Sequence, residues 1–154
     1  MKERLADQDP FPLARPCGWR IAVAHDAESF TFIYTQHLDL LRRMGEVRFF
    51  DPEQDEPLPA DTDLLYLPGG YPELHVPQLA ASTGLLADLK AHVAAGKAIW
   101  AECGGMLALG QHITDAEGVA HPLWGIVPGN AQMQMRLAGL GMQQWGAPAV
   151  RASL

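Results

Sequence analysis

The chain is short of positive charge, with 11 Lys and Arg against 18 Asp and Glu in 154 residues, a formal net charge of -7. A nucleic-acid binder needs a basic face to neutralise phosphates, so that class of function is excluded. No apolar run approaches the roughly 20 residues that cross a bilayer, so no membrane role is expected. The opening "MKERLADQDPFPLARPCGW" lacks the apolar core and small-residue cleavage site of a signal peptide, which points to the cytoplasm. Cysteine is scarce too: Cys17 and Cys103 stand far apart, and without export they are expected to stay thiols. The six histidines are scattered, and no Cys/His pair has the short spacing of a zinc site, so no metal is expected. No internal repeat appears, and nothing resembles the G-x-x-x-x-G-K-[ST] loop that cradles nucleotide phosphates.

What is present reads as one domain. A chain of this size buries about 70% of its unfolded surface, enough for a proper core. Residues 1–19 are polar, proline-bearing and aperiodic, and read as a leader or linker before a domain over 20–154. "RIAVA", "EVRFF", "DLLYL" and "KAIWA" are short apolar runs that suit buried strands. Between them, apolar residues recur at helical spacing from Phe30 to Met44, ending at Gly45 as a cap, and again in two pieces on either side of Ser82-Thr83-Gly84. "GGMLALGQHI" predicts a further helix, and Met133, Met135 and Leu137 alternate as in a half-buried strand. No hairpin signal separates the strands, so the alternation predicts an α/β fold with a mainly parallel sheet and helices on both faces.

In such sheets, chemistry collects at the carboxyl ends of the strands. "AECGG" places Cys103 there, between a strand and a helix. A cysteine in that place is either a small core residue or a nucleophile displayed on a sharp turn. In the second case Gly104 and Gly105 clear the turn, the helix N-terminus favours the thiolate, and the Gly104 amide faces a developing oxyanion. Ala101 stands where the general G-x-C-x-G pattern has its first glycine. "LPGGYPELH" ends the preceding strand; its two glycines are either a plain strand-exit turn or the second half of an oxyanion hole. A side chain at Gly70 is expected to disturb the site more than the fold.

"LYLPGGYPELH" followed by "AIWAECGGMLALG" resembles the glutamine amidotransferase domain of the cobyrinic acid a,c-diamide synthases, with the cobyric acid synthases close by. The opening from Arg20 and "HPLWGIVPGNAQMQMRLAGLGMQQ" extend the resemblance over about residues 19–145. It implies a flavodoxin-like three-layer sandwich of the class I glutamine amidotransferase type. It also implies that Cys103 attacks the side-chain carboxamide of glutamine, with Gly70 and Gly104 at the oxyanion-hole positions and Gly69 and Tyr71 shaping the substrate loop. Glu73 and Glu102 belong to the motifs without an assigned step. The ammonia would serve an ATP-dependent synthetase domain or subunit that amidates corrin carboxylates, with ATP and magnesium needed only there.

The family's catalytic histidine lies in a "GHxFHYS"-type segment beyond "LGMQQ", so the domain is expected to be incomplete at its C-terminus and nearly inactive alone. On the expected helix, His112 falls roughly 13 Å from Cys103 and on the opposite face, which removes it as a base. His121 reads as a surface residue. His25 and His75 follow strand ends on the same edge as Cys103 and are the stand-ins that geometry leaves. Two other readings stand beside the amidotransferase: a non-catalytic remnant or interaction module of the same fold, and another cysteine-elbow hydrolase.

Overall fold

The computed structural model describes residues 17–133. At its centre lie four parallel strands, β1 (Trp19–Ala24), β2 (Gly45–Phe50), β3 (Leu64–Leu67) and β4 (Ala98–Ala101), in the order β2-β1-β3-β4. Parallel neighbours need crossover connections. Helix α1 (Thr35–Met44) joins β1 to β2, while α2 (Val76–Ala81) and α3 (Thr83–Ala94) lie between β3 and β4.

Strand periodicity sorts the core into two layers. On β1, Ile21 and Val23 face one side, where they meet Leu41 of α1 together with Leu64 and Tyr66 of β3. Ala22, Ala24, Leu65 and Leu67 face the other side, against Leu79 of α2 and Leu85 and Leu89 of α3. Leu85 and Leu89 sit four apart on α3 and are both fully buried. Each such burial is worth about 2 kcal/mol, far more than the propensity differences along a helix of this length. The sheet is thus covered on both faces, as the sequence pattern predicts.

Three local differences from the sequence expectations have physical causes. Helix α1 starts at Thr35 rather than Phe30, because Phe30 is fully buried and stacks on Trp124 with ring centroids 5.9 Å apart. Gly45 is not a left-handed helix cap: it is extended, with φ 179°, and opens β2. Any Cβ there would overlap the backbone of Trp19 on the paired strand.

The helix after Cys103 is also shorter than predicted. Helix α4 covers only Gly104–Ala108, and the carbonyl of Leu109 accepts the amides of Ile126 and Val127 instead of continuing it. The chain turns into a small second sheet of β5 (His112–Thr114), β6 (Ala120–Pro122) and β7 (Asn130–Gln132), with β5 antiparallel to β6 and parallel to β7. His112 therefore sits on a strand and not on the helix of Cys103. The β5–β6 hairpin has no Asn-Gly signal because Asp115 makes the turn, its Oδ1 accepting the amides of Glu117 and Val119. His121 lies on β6 with its Nε2 2.7 Å from Asp115 Oδ2, a pairing that lowers the Asp115 pKa from its ordinary value. Of the alternating Met133, Met135 and Leu137, Met133 follows β7 directly and the other two lie outside the described residues. No described helix is long and apolar enough to cross a membrane.

Candidate active site at the carboxyl edge

One residue, Glu102, separates Cys103 from the end of β4, and Cys103 heads α4. The turn is pinned by Glu102, whose amide donates to Leu67 at 3.0 Å and whose carbonyl accepts from Gly105 at 2.8 Å. The carbonyl of Cys103 then accepts from Met106 and Leu107 to start the helix. Cys103 has φ 47° and ψ -116°. Those angles lie near the first central position of a type II′ turn, which glycine normally fills. A side chain held there stores on the order of 1–3 kcal/mol and persists only where its surroundings over-determine it.

They do so here. Gly104 and Gly105 are buried. A Cβ on Gly104 would come within 2.5 Å of the Gly70 carbonyl oxygen and 2.7 Å of Pro72 Cδ. One on Gly105 would collide with the carbonyls of Leu67 and Pro68. The elbow is therefore wedged against the end of β3, and the Cys103 side chain is left exposed. Helix α4, at five residues, is a weaker source of field at the thiol than a full helix behind it.

The glycine loop supplies the other wall. The carbonyl of Gly69 accepts the Phe32 amide at 3.0 Å, tying the loop to the segment after β1. Gly70 has φ 152°, and a Cβ on it would overlap the carbonyl oxygen of Ser29. A side chain at Gly70 thus strikes the fold directly, against the sequence expectation that it would disturb the site more than the fold. Gly69 differs: a Cβ there would sit 3.4 Å from Phe32 Cβ and 3.5 Å from Cys103 Cβ, close to ordinary contact. Its lack of a side chain keeps the space beside the thiol open. Tyr71 is half exposed and meets Phe32 edge-on at 5.1 Å. A cavity of about 240 Å³ opens beside this loop, lined by Thr31, Phe32, Ile33 and Tyr34. The structure therefore gathers Cys103, Gly69, Gly70 and Gly104 at one point, with Tyr71 at its margin.

The two histidines that the sequence geometry does not exclude as bases have other partners. His25 Nδ1 lies 3.2 Å from the Phe30 carbonyl. His75 is held between Glu28 at 3.2 Å and Glu53 at 3.6 Å, and Ser29 donates its hydroxyl to Glu53. Among the described residues neither ring hydrogen-bonds to Cys103. Asp26 uses one oxygen to accept the amides of Glu28, Ser29 and Phe30, while its other oxygen is buried without a partner. Glu73 Oε2, on the turn packed against the elbow, is likewise buried and unpartnered. Among the described residues no three His, Cys, Asp or Glu side chains group as metal ligands.

The sequence reading does not single out His37 and Tyr66, yet both reach Glu102. The Tyr66 hydroxyl lies 3.4 Å from Glu102 Oε2, and His37 Nδ1 lies 3.1 Å from that hydroxyl. Burial first, then the Glu102 charge, pushes the Tyr66 phenol up to about 12. The missing signal was the helix start: from Thr35, His37 falls in the first turn, at the carboxyl edge of the sheet, whereas a helix from Phe30 carries it deeper.

Comparison with known proteins shows the family. The chain is 50% identical over 144 residues to the hydrogenobyrinate a,c-diamide synthase of Pseudomonas aeruginosa, which covers 92% of the chain and 33% of the relative. It is 47% identical over 135 residues to the protein of that name from Stutzerimonas stutzeri, covering 87% of the chain and 31% of the relative. It is 43% identical over 127 residues to the cobyrinate a,c-diamide synthase of Herminiimonas arsenicoxydans, covering 82% of the chain and 29% of the relative. The chain thus spans about a third of the length of the curated relatives it matches. Residues 20–149 match the family described as the CobB/CobQ-like glutamine amidotransferase domain, and the chain belongs to that family.

Proposed function

We propose that this chain is the glutamine-hydrolysing part of a corrin a,c-diamide synthase and works through a Cys103 thioester. The observation that carries the reading is the strained, exposed Cys103 at the end of β4, wedged by Gly104 and Gly105 against the Gly70 loop. A protein maintains such a conformation for a residue whose side chain must be presented. The thiolate attacks the side-chain carboxamide carbon of glutamine and a C–S bond forms. The C–N bond then breaks, and the proton lost by the thiol ends on the departing nitrogen, which leaves as ammonia. Water cleaves the thioester, giving glutamate and restoring the thiol. The amides of Gly70 and Gly104 stabilise the tetrahedral oxyanion, and Gly69 and Tyr71 shape the glutamine pocket. The ammonia passes to an ATP-dependent synthetase part, where ATP with magnesium would supply the activation of the corrin carboxylates. A chain with two cysteines, far apart in the sequence, suits a reducing cytoplasm.

The test is covalent labelling with 6-diazo-5-oxo-L-norleucine, located by peptide mass spectrometry. Cys103 is expected to take the label and Cys17 to stay free of it. Cys103→Ala is expected to abolish labelling, because the attacking thiol is gone. Equal labelling of both thiols in the native chain overturns the reading.

A further inference from the structure

The side chains behind Cys103 form a directed chain of hydrogen bonds. His37 Nδ1, in the first turn of α1, lies 3.1 Å from the Tyr66 hydroxyl, and that hydroxyl donates to Glu102 Oε2 at 3.4 Å. His37 Nδ1 is also 3.9 Å from the same carboxylate oxygen. With the tyrosine proton directed at Glu102, the Nδ1–H tautomer of His37 completes the chain. The order is imidazole N–H to phenol, phenol to carboxylate. The groups facing His37 are Tyr34, edge-on at 5.4 Å, Tyr66 and Glu102; those facing Glu102 are Tyr66, His37 and the adjoining Cys103.

This arrangement exceeds what the core requires. β3 reads Leu64, Leu65, Tyr66, Leu67, and all four side chains are buried. A phenylalanine would fill the place of Tyr66, and among the described residues the added hydroxyl bonds to His37 and to the residue before the nucleophile. Because burial and Glu102 hold the phenol proton in place up to about 12, the hydroxyl is a fixed donor across the working pH range. Glu102 is already clamped along its backbone by Leu67 and Gly105. A side-chain clamp completes the restraint on the residue that must hold Cys103 at φ 47°.

We propose that His37 and Tyr66 are positioning residues for the nucleophile, acting through Glu102 to keep Cys103 in its strained, presented conformation. The proposal rests on Cys103 being the nucleophile of the glutaminase reading, and its test reads the thiol separately from glutamine. In the 154-residue chain carrying Cys17→Ser, the rate of Cys103 alkylation by iodoacetamide is measured together with the thermal midpoint. Tyr66→Phe, which deletes only the hydroxyl, is expected to slow alkylation about threefold to tenfold, the effect of losing one net hydrogen bond. The double variant Tyr66→Phe/Glu102→Ala is expected to be no slower than Glu102→Ala alone, because both changes cut the same chain.

His37→Gln, at a half-exposed side chain, gives the same test should Tyr66→Phe prove unstable. Glu102→Gln, which keeps an acceptor, is expected to retain more reactivity than Glu102→Ala. Alkylation unchanged in both Tyr66→Phe and His37→Gln, or full additivity of Tyr66→Phe with Glu102→Ala, overturns the proposal. Labelling of the parent chain by 6-diazo-5-oxo-L-norleucine reports on the glutaminase reading alone, so a failure of that reading and a failure of the positioning proposal are told apart.

Discussion

The two ends of the central sheet are built on opposite terms. At the amino end, charged groups are paired: Arg20 reaches Asp63 and Asp61, each at 3.1 Å, and Lys97 donates to the Thr62 carbonyl at 2.7 Å. At the carboxyl end, Cys103 is strained, and Asp26 and Glu73 each bury an oxygen without a partner. Asp61 also has a positive φ, of 61°, but aspartate in the left-handed region is an ordinary turn residue. Cys103, with ψ -116°, lies outside that region altogether. The difference shows which end was shaped for stability and which for presenting a side chain, since local rules give way where function requires it.

The largest test of that difference sets the two loop glycines against each other. Gly70→Ala forces a Cβ into the Ser29 carbonyl at a backbone angle that side chains rarely adopt, and is expected to cost about 3 kcal/mol in chemical denaturation. Gly69→Ala meets near-ordinary contacts and is expected to cost less than about 1 kcal/mol. Its methyl nevertheless projects beside Cys103 and should slow labelling by the glutamine analogue. Equal stability losses at the two positions would show that the loop adjusts freely and that the carboxyl edge is not rigid.

A smaller test asks whether the elbow stores strain. Cys103→Gly places at φ 47°, ψ -116° the residue that tolerates those angles without penalty. The variant is expected to lose all thiol labelling yet gain about 1 kcal/mol of stability over Cys103→Ala, which keeps the Cβ. Two variants of equal stability would mean that the elbow is relaxed, and the contrast between the two ends would lose its strongest element.

Much of this arrangement was legible in the sequence because it depends on local rules. The four strands declare themselves as short apolar runs, and two-sided burial of Ile21–Ala24 and Leu64–Leu67 explains why those runs do not alternate with polar residues. Cys103 stands out because only a turn beside two glycines can present it. What stayed hidden depends on distant partners. The stop of α4 after Ala108 is set by amides of Ile126 and Val127, which helical periodicity cannot register. His37 joins Glu102 across residues 65 positions apart in the chain, through a tyrosine that reads as plain core. Gly45 looks like a helix cap, and its true constraint, the backbone of Trp19, appears only once β1 and β2 are paired.

The smallest effect belongs to the amino end. The carboxyl of Asp63 is held below its ordinary value of 3.8, first by the hydrogen bond from the Arg20 side chain and next by the Arg20 amide. A carboxyl with a lowered folded pKa stabilises the protein above its unfolded value, and that contribution is lost as pH falls through the folded one. Asp63→Asn removes the charge, so the parent should be the more stable protein at neutral pH, with a gap that closes as the solution is acidified below the ordinary carboxylate range. Exposure and salt screening keep the gap small, and it should shrink further in high salt. Thermal midpoints of the two proteins, followed from about pH 7 to about pH 2, measure it. A gap that stays constant down to the acid limit would mean that the asparagine disturbs packing or the Arg20 amide bond rather than a charge pair. Labelling of Cys103 should be the same in both proteins throughout, because Asp63 and Cys103 lie at opposite ends of the sheet.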